Sequence, residues 1–275
     1  MKVFLSYTRS KDQFLAVSSF RQYFAAELAI RSPGSTIFQD KERIEEGDHF
    51  PEVLENEIHA ADVLLVLLSP AWLQSVWCRR EFTLFTKDLG DHRRLHQILP
   101  VLWVDTPQIH PLADDPIAKT LAPIQSADWR HIRYGPWESP VNQRQVGELS
   151  QRALSLVTRS ARHVVSEPPV HPQELSRPAD SPAILQRIKM LMPELLEEMR
   201  TDLATQPLKR EFVVLERNWV YWPNGNELIY YYDDHTDLDD KVRILENEGL
   251  IREITSNNTK RYLLSEQFAK HLGAP

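Results

Sequence analysis

Glu81 closes the stretch Trp77-Cys78-Arg79-Arg80-Glu81, which follows the apolar run 61–68 across a Ser69-Pro70 break. A carboxylate at the mouth of an α/β sheet can act as an acid, as a base or as the stabiliser of a developing cation. The alternative is a solvated charge on an ordinary helix face, and the surroundings decide between the two. Trp77 lies four residues before Glu81 and shares its helical face. It either walls a pocket or belongs to the core. Ser69 suits a helix N-cap better than a nucleophile, because Pro70 holds the favoured first helical position. Cys78, beside Trp77, reads as a small core hydrophobe. His92 and His96 have the spacing of two ligands on one helix face. No Glu follows His92 directly and Arg93-Arg94 would repel a cation, so no metal site is expected. With 8 glycines the chain has no Gly-rich loop to cradle a phosphate.

The elements that must position Glu81 are legible from hydrophobic periodicity. Val3-Phe4-Leu5-Ser6-Tyr7 and Thr36-Ile37-Phe38 read as strands. Residues 63–68 form a third, almost wholly apolar and therefore buried on both faces, and residues 98–104 a fourth. Helices are predicted over 14–30, with Phe14, Val17, Phe20, Phe24 and Leu28 in phase, and over 50–60, with Val53, Leu54 and Ile58 on one face. Two more are predicted over 77–89 and over 141–157, the latter with Val146, Leu149, Leu154 and Val157 inward. One further strand is expected near 124–128. Strand and helix alternating through short links imply an α/β fold, a parallel sheet with helices on both faces. Ligands bind such sheets outside the carboxyl ends of the strands. Those ends are Ser6-Tyr7, Asp40, Ser69-Pro70 and Val104-Asp105.

The whole chain has 275 residues, of which 42% are apolar, enough for a real core. Its net charge of -7 argues against chain-wide binding to a nucleic acid backbone. One cysteine excludes an intrachain disulfide and a Cys-based zinc cluster. The apolar start is too short for a signal peptide, and the longest apolar run, 60–68, is broken by Asp62 and far short of a membrane span. A soluble, cytoplasmic protein without membrane contact is expected. A Pro-rich linker over 158–182 separates a first domain, 1–157, from a second, 183–275.

In the second domain, residues 183–204 look helical, with Ile184, Ile188, Leu191, Leu195 and Met199 on one face and Pro193 kinking or splitting the run. Phe212-Val213-Val214-Leu215 is strand-like, and residues 238–248 form an amphipathic helix. Gly249-Leu250-Ile251, a polar turn, Tyr262-Leu263-Leu264 and a last helix complete an α+β pattern like a winged helix-turn-helix. The charges resist DNA binding. Residues 181–275 hold 12 Lys and Arg against 16 Asp and Glu, and Asp237, Asp239 and Asp240 open the would-be recognition helix. Acid there is good helix chemistry and poor phosphate chemistry. A module that binds a protein partner or an activating ligand fits better, with Trp219, Tyr221, Trp222, Tyr230, Tyr231 and Tyr232 divided between core and interface.

Residues 1 to about 157 resemble a Toll/interleukin receptor (TIR) domain. The resemblance rests on Val3-Phe4-Leu5-Ser6-Tyr7 with Asp12; Ile37-Phe38-Gln39-Asp40 with Ile44 and Gly47; Leu67-Leu68-Ser69-Pro70 with Ser75, Trp77, Cys78 and Glu81; and Ile98-Leu99-Pro100-Val101. It implies a flavodoxin-like fold and one of two roles. Some members are scaffolds that bind one another, and others cleave NAD between nicotinamide and ribose. In the enzymes the Glu of the Trp-Cys-x-x-Glu region is catalytic, which gives that role to Glu81. The resemblance further suggests Tyr7, Arg9, Phe38, Asp40, Arg43 and Trp77 as residues facing the substrate, with NAD as substrate and no separate cofactor. It implies self-association through the TIR domain, and the setting of a prokaryotic antiviral effector that depletes NAD. Two departures stand out. The loop Arg43-Ile44-Glu45-Glu46-Gly47 lacks the Pro-Gly of many animal signalling members, and Thr8 stands where some relatives carry a second basic residue. The competing expectation is a TIR scaffold without catalysis; a third is an acidic winged-helix regulator whose TIR part only assembles.

Overall fold

The computed structural model describes residues 1–8, 14–39, 52–87, 92–165 and 182–273. Arg9, Asp40 and Arg43, together with Asp12, Ile44 and Gly47, lie outside the described residues. The chain divides into two compact units: Met1–Ser166 with Val220–Trp222, and Glu167–Trp219 with Pro223–Pro275.

The first unit runs β1 (Lys2–Ser6), α1 (Phe14–Arg31), β2 (Thr36–Phe38), α2 (Glu52–His59), β3 (Val63–Leu68), α3 (Pro70–Gln74), α4 (Val76–Lys87), a 3-10 turn (His92–Gln97), β4 (Ile98–Leu102), α5 (Pro116–Leu121), β5 (Ser126–Asp128) and α6 (Pro140–Val165). Strands β1 to β5 pair in parallel in the order β2-β1-β3-β4-β5. This is the flavodoxin-like α/β arrangement. The chain leaves β1 toward β2 on one side and returns to β3 on the other, so the topological switch point lies between β1 and β3.

All six side chains of β3 are buried. Leu64, Val66 and Leu68 share a hydrophobic cluster with Leu54 and Ile58 of α2 and Phe82 and Phe85 of α4. Val63, Leu65 and Leu67 point to the opposite face by strand alternation. Helices α1 and α6 pack against each other, and Val17, Phe20, Phe24, Val146 and Leu149 are buried on them.

Local chemistry moves several boundaries. The helix expected over 77–89 is α4, and a separate turn of helix, α3, precedes it. Ser75 adopts an extended conformation (φ -70°, ψ 118°) and divides the two. Strand β4 ends at Leu102, because the N–H groups of Trp103 and Val104 both turn to the Leu68 carbonyl, each at 3.0 Å. Val53 is 66% exposed, leaving Leu54 and Ile58 as the buried residues of α2. On α6 the inward ridge continues through Ala153 and Leu156 rather than Leu154 and Val157, as a 3.6-residue period requires over three turns. The 3-10 geometry of His92–Gln97 removes the premise of a two-histidine site. At three residues per turn, positions four apart no longer share a face.

The second unit begins with α7 (Pro182–Leu191) and α8 (Pro193–Thr205), split at Pro193. Then come β6 (Glu211–Leu215), β7 (Trp219–Val220), β8 (Glu227–Tyr231), α9 (Leu238–Asn247), β9 (Ile251–Glu253), β10 (Lys260–Leu264) and α10 (Glu266–His271). Val220–Trp222 belong to the first unit, whose sheet reads β2-β1-β3-β4-β5-β7 in full. The second sheet has the order β8-β6-β10-β9, with β6 and β8 parallel and β10 antiparallel to both β6 and β9. Its core joins Ile188, Leu195, Met199, Phe212, Tyr230, Val242, Leu245 and Phe268. Leu191 is 49% exposed, because α7 ends there.

The expected amphipathic helix, hairpin and closing helix are α9, β9–β10 and α10. The helix-turn-helix pairing differs from expectation. Between β6 and α9 the described chain forms β7, β8 and turns, so no helix immediately precedes α9. The apolar side chains of Leu228 and Tyr230 alternate inward, which favours a strand where the motif needs a helix. No helix among the described residues is long and apolar enough to cross a membrane.

Candidate functional site

Glu81 belongs to the buried stripe of α4, Cys78, Glu81, Phe82 and Phe85, spaced i, i+3, i+4 and i+7. Its exposure is 8%, so the solvated-charge reading does not describe it. Burying a carboxylate costs several kcal/mol unless donors compensate, roughly the scale set by measured desolvation. Arg79 and Arg80 point the other way and fasten the helix. Arg79 Nη1 donates to Asp115 Oδ2 at 2.5 Å and to the Leu73 carbonyl at 3.0 Å. Arg80 Nη2 donates to Glu55 Oε1 on α2 at 2.7 Å. Asp115 is also the N-cap of α5, accepting from the N–H groups of Ile117 and Ala118. Burial raises its pKa, but those N–H groups and Arg79 outweigh burial and hold the carboxyl below the usual range.

Ser6, the last residue of β1, faces Glu81. Ser6 Oγ donates to Glu81 Oε2, and Trp72 Nε1 of α3 donates to Ser6 Oγ at 2.9 Å. An indole N–H can only donate, so the Ser6 proton is directed at the carboxylate. Ser6 and Trp72 are fully buried, and the Trp72 ring meets Phe82 edge-on at 6.1 Å. Strand alternation puts Ser6 on the same face as Phe4, toward α4. Ser69 caps α3 by accepting from the Trp72 N–H at 3.1 Å, and Thr8 Oγ1 lies 3.4 Å from the Ser69 hydroxyl. The capped turn therefore sets where the Trp72 indole points. Ser6, Trp72 and Ser69 thus gather Glu81 at the carboxyl ends of β1 and β3, beside the switch point.

The remaining candidates divide. Cys78 Sγ donates to the Tyr7 carbonyl at 3.6 Å. Burial, and then the Glu81 charge, push the Cys78 thiol up to about 12, so at neutral pH it is a protonated core group. The half-buried Tyr7 accepts at its hydroxyl from Gln39 Nε2 at 2.5 Å, tying the end of β1 to the end of β2. Phe38 stacks on Phe4 with centroids 5.5 Å apart, as part of the core edge. Trp77 is half-buried against the same cluster. Ser6 and Trp72 are the site residues that sequence reasoning missed. The available signal was a hydroxyl at the end of an otherwise apolar buried strand, a group that must find a partner.

The TIR domain family matches residues 3–143, just over half of the chain. The chain belongs to the TIR-domain family. No match is found among curated proteins.

In the second unit two basic side chains of the hairpin, Lys260 and Arg261, face carboxylates. Lys260 pairs with Asp239, which also accepts from the Tyr232 hydroxyl at 2.8 Å. Arg261 reaches Glu211 at 3.3 Å and Glu227 at 3.7 Å. Asp237 opens α9 in the left-handed region at φ 53°, without a side-chain cap. Nearby, His235 Nε2 lies 2.5 Å from Glu198 Oε2, with Asp202 and buried Tyr230 in the same cluster.

Proposed function

We propose that this protein cleaves NAD at the bond between nicotinamide and ribose, with Glu81 as the catalytic residue. The chemistry resembles glycoside cleavage through an oxocarbenium-like transition state. Nicotinamide leaves as a neutral molecule from a cationic pyridinium, so its departure needs no general acid. The Glu81 carboxylate would hydrogen-bond the ribose hydroxyls and stabilise the positive charge that develops on the sugar. Water then completes the reaction at the anomeric carbon. NAD is the substrate in this reading and no separate cofactor takes part.

The observation that carries the reading is the burial of a carboxylate in an apolar helical stripe, oriented by a neutral hydroxyl, at the carboxyl ends of β1 and β3. A purely structural position in that stripe would be filled by an apolar residue. Family membership alone spans both NAD-cleaving enzymes and non-catalytic scaffolds. Self-association through the TIR domain would raise activity. The second unit would respond to a protein partner or ligand rather than DNA, since its acidic residues outnumber its basic ones and Lys260 and Arg261 of the hairpin already face carboxylates. The setting that fits is a prokaryotic defence effector acting in the cytoplasm.

The test is nicotinamide release from NAD by the purified full chain, at high protein concentration and with a crowding agent. Release is expected, with loss in Glu81→Gln. Equal release from that variant would remove the catalytic assignment. Absence of release under every assembling condition would replace it with a scaffold role.

A further inference from the structure

A cavity open to one side lies within the C-terminal unit, lined by α7, α8, α10 and Leu272, the residue that follows α10. Its volume is about 340 Å³, at the small end of the range for ligand pockets. Each helix contributes a stripe at i, i+3 and i+4, the spacing at which one face of a helix is presented. The floor is apolar and belongs to the core of the unit. Leu196, Phe268 and Leu272 are 8%, 1% and 3% exposed. The mouth is polar and carries Lys189, Arg200 and His271, with Glu197 the only acidic residue among those lining the cavity. All four are exposed.

The balance of charge at this mouth runs against its surroundings. The unit is acidic, yet the cavity gathers two permanent cations and an imidazole against a single carboxylate. Glu197 and Arg200 are 3.5 Å apart, one helical turn from each other, with side chains 69% and 50% exposed. An exposed pair of this kind contributes little, so Arg200 can exchange it for a ligand carboxylate at small cost. Pro193, the first residue of α8, also lines the cavity, and the N-cap Met192 offers no side-chain acceptor to the first turn.

We propose that this cavity binds a small amphiphilic monoanion: a ring-sized apolar body against Leu196, Phe268 and Leu272, and one carboxylate-type head between Lys189 and Arg200. The C-terminal unit is thereby a receptor for an organic acid, independent of the chemistry at Glu81.

The experiment is calorimetric titration of the full chain with naphthylacetate, its amide naphthylacetamide and the amine naphthylmethylamine, which share one ring and differ in the head. The acid is expected to bind about tenfold or more tightly than the amide, the scale of one charge-assisted hydrogen bond, and the amine weakest. The acid's affinity is expected to fall with added salt. The double variant Lys189→Glu/Arg200→Glu changes exposed side chains, and its fold is verified by circular dichroism. It is expected to lose the preference for the acid while NAD turnover stays unchanged. Equal affinity for the three heads, an unaltered acid affinity in the double variant, or no binding of the acid at millimolar concentration would each overturn the proposal.

Discussion

In each unit of this chain a carboxylate meets a buried side-chain partner, and the two partners differ in kind. In the first, Ser6, a neutral hydroxyl, donates to Glu81 at the carboxyl edge of a parallel sheet. In the second, Glu198 Oε2 lies 2.5 Å from Nε2 of the buried His235 imidazole. Asp202 and Tyr230 add to that cluster. Burial first, and then the charges of Asp202 and Glu198, raise the Tyr230 phenol above its ordinary range. A carboxylate set against an imidazole ties α8 to the chain before α9. In the proposed reaction the Glu81 carboxylate, held by Ser6, would meet the positive charge that develops on the sugar. The contrast is between a carboxylate beside a hydroxyl and one beside an imidazole.

Exchanging the acids is the sharpest way to break this comparison. Glu81→Gln is expected to lower nicotinamide release by about two to three orders of magnitude, the typical cost of losing one electrostatic stabiliser, with an unchanged circular dichroism spectrum. Glu198→Gln is expected to leave release at the wild-type rate and to lower the thermal midpoint. If both variants lose activity equally, the distinction fails.

Ser6→Ala comes next. It removes the donor to Glu81 and leaves the Trp72 indole N–H without its acceptor. A cost of about 1–3 kcal/mol in urea unfolding is expected, with a fall in release of about tenfold. Ser6→Thr retains the hydroxyl and is expected to recover part of both. A Ser6→Ala protein with full activity would show that Glu81 is oriented by something else.

Cys78 reports on the same charge. Its pKa of about 12 lies above the ordinary thiol value, first through burial and then through Glu81. The neutral thiol therefore contributes stability that is fully present below the unfolded thiol pKa and is lost as pH rises beyond it. Alkylation by iodoacetamide at about pH 9 is expected to be slow in the folded protein and fast in urea. Glu81→Gln removes the like charge, so labelling of the folded variant is expected to quicken modestly.

The smallest effect belongs to Asp202. Burial, and then Glu198, raise its pKa. A carboxyl raised by folding favours the folded state while it is protonated, and that advantage is lost as pH rises from the unfolded carboxyl pKa through the folded one. Asp202→Asn is expected to raise the thermal midpoint slightly near neutral pH and not near pH 3. Solvent screening keeps the gain small.

Much of the first unit was legible in the chain. The run Val63–Leu68 could only be a strand buried on both faces, and all six of its side chains are buried. Val17, Phe20, Phe24 and Leu28 lie inward on α1 as their spacing requires. Errors fell where a local exception outweighed period. Ser75 interrupts a run that otherwise reads as helix, and the shared Leu68 carbonyl ends β4 early. In the second unit, strand β8 was not anticipated; its side chains alternate inward and it pairs with β6 in parallel. That pairing is a property of the assembled sheet and leaves no trace in the segment itself.

At Glu81 the division is clearest. Sequence alone determined that a carboxylate follows the central buried strand and rides a helix beside Cys78 and Phe82, because periodicity is local and survives in the order of residues. Tertiary structure decided that this carboxylate turns inward and that Ser6 is its donor, 75 residues away, with Trp72 behind it. It also decided that three helical stripes line a cavity with cations at its mouth. The physical reason is common to all of these. A side chain's face is set by its own helix or strand, whereas its partner is set by which strands become neighbours, and a parallel sheet makes neighbours of residues that lie far apart along the chain.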